Sequence, residues 1–78
     1  MLSAAEIRAR VTREPFIPLR LIVEDGRSYE IPSRDMVMVT TGFVSVGTPW
    51  KRNPGIAESV DRVAIQNIVA MEDVLRVD

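Results

Sequence analysis

Cysteine and histidine are both missing from this 78-residue chain. Their absence removes disulfides, thiolate zinc sites, nucleophile dyads built on either residue, and the usual proton shuttle near neutral pH. Aromatic residues are few, with one Trp, one Tyr and two Phe, and a single Lys stands against nine Arg. No D-x-D-x-D spacing marks a carboxylate site for Mg²⁺ or Ca²⁺. Ten basic against eleven acidic side chains leave a net charge of −1, which excludes a polybasic arm for nucleic acid or membrane but not a local patch. No apolar run approaches ~18 residues, and the N-terminus has no secretory pattern. A cytoplasmic protein without a membrane partner is therefore expected. Neither a cofactor nor a small-molecule substrate is implied.

A chain of this length buries roughly 60–65% of its unfolded surface, so its core is modest. Small domains offset that with disulfides, metals or association, and here association is what remains. A homo-oligomer is expected.

The start has the punctuation of a helix. Ser3 fits the N-cap and Glu6 completes a capping box, while Leu2 and Ile7 occupy the staple positions. Ala4, Ile7 and Val11 form one narrow apolar stripe, and Pro15 disfavours helical geometry at Glu14. The stretch VEDGRSYEI (23–31) then reads as a hairpin. A two-residue Asp25-Gly26 loop would set Leu21 against Glu30. A three-residue loop with Gly26 left-handed sets Leu21 against Tyr29, Leu19 against Ile31 and Arg20 against Glu30. The second register matches apolar with apolar and pairs opposite charges, so it is preferred. Beyond Pro32 and a short Ser33-Arg34-Asp35 turn, a tight turn at Thr41-Gly42 pairs Val39 with Val44 and Val37 with Val46. Met38, Thr40, Phe43 and Ser45 lie on the other face, which is too apolar for free solvent.

Pro49, Pro54 and Gly55 punctuate 47–59, which reads as a long loop. The last segment is ambiguous. Val60, Val63, Ala64, Ile68, Met71, Val74 and Leu75 fit one helical stripe, but the β-branched run VAIQNIVA favours strands over 60–65 and 68–72. The expected fold is mainly β (α+β): a helix over 4–13, then a small five- to six-stranded antiparallel barrel-like sheet. Its parts are hairpins over 17–31 and 36–47, the loop 47–59, and a terminal strand pair or helix within 60–75.

Two resemblances add to this reading. EPFIPLRLIVEDGRSYEIPSRD (14–35) resembles the opening of a set of short uncharacterised bacterial proteins, which brings no function with it. The layout of helix, Asp-Gly hairpin, second hairpin and AIQNI strand pair (64–68) is similar to that of bacterial Sm-like RNA-binding proteins. That similarity implies a five-stranded barrel, ring oligomers and RNA binding. Arg62 and Val63 stand where that family places Lys-His, and the glycine of its bent second strand is missing after Tyr29. Arg62 keeps a cation for phosphate, whereas base-reading chemistry does not carry over.

Candidate chemistry is sparse. Glu24 and Asp25 are explained by the turn, and Asp35, Asp61, Glu72 and Asp73 by solvated surface. Ser3 and Ser33 have no activating base, so capping and turn roles suffice. Arg8, Arg10 and Arg13 span more than one helix face, with phosphate contact as the alternative to plain solvation. The sharpest signal is WKRN (50–53), which sets an aromatic plane beside two cations, as stacking on bases and neutralising phosphates require. Alternatively, Trp50 folds back to plug the open end of the sheet. The leading expectation is a non-enzymatic oligomeric module with Met38 and Phe43 at the interface. The other is single-stranded nucleic-acid binding through Trp50, Lys51, Arg52 and Arg62.

Overall fold

A computed structural model describes residues 2–75. One helix precedes six antiparallel strands in two three-stranded sheets: α1 (Ala4–Val11), β1 (Leu19–Val23), β2 (Ser28–Ile31), β3 (Val37–Val39), β4 (Phe43–Trp50), β5 (Asn53–Ala64) and β6 (Ile68–Asp73). The class is the expected mainly β one, and the sheets curl around one core without closing into a barrel.

The capping box forms in full, with the Glu6 N–H donating to Ser3 Oγ at 3.1 Å and the Ser3 N–H donating to Glu6 Oε1 at 3.0 Å. Ile7 and Val11 drive the helix onto the core. It stops two residues before the expected end because Thr12 caps it: its N–H and its hydroxyl both donate to the Arg8 carbonyl. Arg34 then donates to the carbonyls of Val11 and Arg13, satisfying chain that has left the helix.

The first hairpin takes the register read from charge and apolar matching, with Leu19 opposite Ile31, Arg20 opposite Glu30 and Leu21 opposite Tyr29. Gly26 has φ of +92°, the left-handed geometry its loop position demands. The second hairpin likewise pairs Val37 with Val46 and Val39 with Val44. Between them the chain passes from the first sheet to the second through Pro32 and a 3₁₀ turn at Arg34–Met36.

Two expectations need correction. The segment 47–59 is no loop: β4 runs on to Trp50 and β5 begins at Asn53. The prolines stand where the ladder does not need their missing N–H. Pro49 falls between two register shifts, and Pro54 lies in a bulge, because Thr48 faces Ser59, Pro49 faces Ala57 and Trp50 faces Asn53. Glu58 and then Pro54, Gly55 and Ile56 are thus the extra residues on β5. Gly47 makes the crossing over Met36 feasible, since a Cβ there would lie 3.0 Å from the Met36 Sδ and 3.1 Å from the Ala57 Cβ.

Residues 60–75 do form strands, but these do not pair with each other. β5 pairs with β4, and β6 pairs with β1, in the other sheet. The 3₁₀ turn Ile65–Asn67 carries the chain across that corner. The core draws on all parts, with Leu19, Leu21, Ile31, Val44, Val63, Ile65 and Ile68 buried alongside the helix residues. Among the described residues, no helix is long and apolar enough to cross a membrane.

Candidate interaction surface

The second sheet, ordered β3-β4-β5, carries the candidate residues on its open side. Val44, Val46 and Val63 fill the face toward the core. The opposite face presents Met38, 65% exposed, and the half-buried Phe43. The Arg62 guanidinium carbon lies 3.9 Å from the centroid of the Phe43 ring, a cation–π stack. Farther along, β4 and β5 form an arm in which every residue of β5 from 53 to 62 except Ala57 is exposed. Its exposed apolar residues include Ile56 and Val60. Lys51 and Arg52 form the apex.

Trp50 beside the apex is 37% exposed and outside the core cluster, so it does not plug the sheet. The four residues expected to bind nucleic acid also do not converge. Trp50, Lys51 and Arg52 sit together, while Arg62 pairs with Ser45, five β4 residues back from Trp50 and so at most roughly 17 Å away along the strand.

The helix arginines have another task. Arg10 and Arg13 both reach the Asp73 carboxylate, at 2.8 and 2.7 Å, which ties the first element to the last strand. Hydrogen bonds from Arg13 and then Arg10 lower the Asp73 carboxyl to about 2, and the same bond raises Arg13 further. Asp73 is therefore a structural anchor rather than free surface charge, and Arg10 and Arg13 are not a phosphate site. Glu72 is engaged as well: Arg20 stands between Glu30 at 2.9 Å and Glu72 at 3.7 Å. Asp25 closes its own turn by accepting from the Arg27 N–H and Nε, which pulls its carboxyl below the usual range, the backbone bond foremost.

Among the described residues, the ion pairs join Arg10, Arg13, Arg20, Arg27 and Arg34 to acidic partners, and none involves β3, β4, β5 or the apex. Among the described residues, Lys51, Arg52, Glu58 and Asp61 have no ion-pair partner. Beside the arm runs a groove of about 350 Å³, lined in part by Tyr29, Glu30, Pro32, Thr48, Pro49 and Asp61. No periodicity in the sequence signals it, because it lies between β2 and a part of β4 that reads as loop. Among the described residues, no group of three or more acidic side chains is gathered to hold a metal. Comparison of the chain with protein-family models, with curated proteins and with solved structures gives no match.

Proposed function

We propose that this chain is a non-enzymatic interaction module that assembles with copies of itself through its second sheet. The observation that carries this reading is β5. It is 12 residues long, and its outer edge has no strand neighbour among the described residues. Proteins that stay apart blunt such edges with short strands, bulges or covering elements. β5 carries bulges of its own at Glu58 and Pro54–Ile56, yet Ser59–Ala64 keeps regular register with β4 and leaves a longer bare run than the other edges offer. β2 and β3 have 4 and 3 residues, and β6 is bulged at Val69 and clamped at Asp73 by the helix arginines. The exposed Met38, Ile56 and Val60 sit in the same sheet, and a core without covalent staples gains from association. Light scattering at micromolar concentration is expected to give a dimer or larger assembly; a mass of 8.7 kDa throughout rejects the reading.

A second reading is single-stranded nucleic-acid binding of the Sm-like kind, favoured by a half-exposed Trp50 beside two unpaired cations at the apex. Stacking would contribute ~1–3 kcal/mol per base. Affinity would fall by ~0.7 log units per log unit of salt for each phosphate neutralised. Fluorescence anisotropy with labelled oligo(U) and oligo(dT) tests it. Flat titrations at low salt reject it.

A further inference from the structure

We infer that the apex Trp50-Lys51-Arg52 of one copy seats in the groove beside the arm of a second copy, whose own apex returns the contact across a two-fold axis. This rests on the self-association proposed above and specifies where the copies touch.

The match begins with size and chemistry. An apolar cavity of about 150 Å³ holds benzene, so a groove of about 350 Å³ has room for an indole. Tyr29, Pro32 and Pro49 offer it ring and proline surface, and Trp and Arg are the side chains that most often anchor protein interfaces. Trp50 does not line the groove of its own chain.

Charge supplies the second match. Lys51 and Arg52 are exposed cations without a salt bridge, and the groove wall carries Asp61, an anion without one, next to Glu30, which Arg20 holds. Within one chain these groups are apart, because Asp61 pairs with Val46, five β4 residues before Lys51. Two copies remove that separation.

Symmetry supplies the third. A two-fold interface needs projection and pocket on one self-complementary patch. Here Thr48 and Pro49 line the groove and the very next residues form the apex, so one axis passing near Pro49 satisfies both contacts. The larger hollow of about 590 Å³ between the helix start and the Thr41-Gly42 turn holds no charged side chain and offers the apex nothing. A polyanion fares worse than a second copy, since a chain of net charge −1 offers it no long-range attraction.

Trp50 is the single Trp of the chain, so its emission reports the proposed contact directly and needs no variant. Emission of the native chain is expected to shift to the blue as concentration rises, with the same midpoint as the mass from light scattering. The double variant Lys51→Glu, Arg52→Glu and the single variant Asp61→Lys are each expected to weaken self-association by about tenfold or more through like-charge contacts. Mixed in equal amounts, they are expected to form a heterodimer, because each reversed charge then meets its opposite. All three positions are exposed, so circular dichroism should show both variants folded. Assembly with Trp50 emission independent of concentration, assembly indifferent to both reversals, or a mixture that fails to recover would overturn this contact and leave self-association standing. A blue shift produced by oligo(U) but not by protein concentration would assign the apex to nucleic acid and overturn it too. A monomer at every concentration overturns the contact and the proposed function together.

Discussion

The half of the molecule built from α1, β1, β2 and β6 holds all the ion pairs among the described strands and the helix, and the half built from β3, β4 and β5 holds none. In the first, Arg20 is held between two carboxylates, and Arg10 and Arg13 converge on a third. In the second, Lys51, Arg52, Glu58 and Asp61 are unpaired, and large apolar side chains face outward beside them. An isolated surface ion pair is worth little, so the pairing in the first half is mainly a matter of geometry. It locks the register of β1 between its two neighbours and fixes the helix to the last strand. The second half leaves its charges to solvent, and the proposed self-association rests on that surface.

Substitutions can test how deep this contrast runs. The largest effect is expected in the paired half, where Leu21 is completely buried; Leu21→Ala should cost about 2–5 kcal/mol in urea or thermal unfolding. Gly26→Val comes next. A Cβ at Gly26 would meet nothing within 4 Å, so the cost is backbone strain alone, about 1–3 kcal/mol. Gly26→Asn should therefore cost less than Gly26→Val, because Asn tolerates left-handed geometry; equal melts would show that the space around the turn decides instead.

Asp73→Asn should lower the melting temperature by less than Leu21→Ala and change its acid dependence. The folded carboxyl is depressed from 3.8 to about 2, so the stability it adds is present above pH 3.8 and is lost as pH falls through that window. Urea midpoints measured from pH 5 to pH 2 should decline less steeply in the variant than in the native chain. Parallel curves would detach the helix arginines from Asp73.

The smallest effect belongs to the arm. Lys51→Ala with Arg52→Ala, or Val60→Ala, measured at dilutions below association, should shift stability within about 0.5 kcal/mol. A larger loss would mean that the arm braces the monomer, and the contrast between the halves would shrink.

What the sequence made legible follows the range of each interaction. Ser3 and Glu6 are three residues apart, and Arg20 finds Glu30 across a tight turn, so capping and both hairpin registers could be read directly. The Arg10–Asp73 contact spans 63 residues, and charge alone carries no trace of such a partner. The split of β5 and β6 between two sheets was hidden for a related reason: alternation tells which face is buried but not which strand lies alongside. Pro49 and Pro54 misled because a missing N–H is harmless at a bulge and between register shifts, and a sequence shows the proline without the bulge. At the apex, WKRN was visible as chemistry, while its separation from Arg62 and the groove beside it were not.

The place of β6 has a consequence for how the chain matures. β1 is the central strand of the first sheet, flanked by β2, which is synthesised soon after it, and by β6, which is synthesised last. A nascent chain therefore carries the β1–β2 hairpin with the other edge of β1 unpaired, and a two-stranded hairpin is marginal in water. The helix is in the same position, since the carboxylate that anchors its arginines arrives with Asp73. An N-terminal half without β6 thus lacks both the second neighbour of β1 and the anchor of the helix. The first sheet is complete only when β6 lies beside β1, which joins residues about 50 positions apart in the chain.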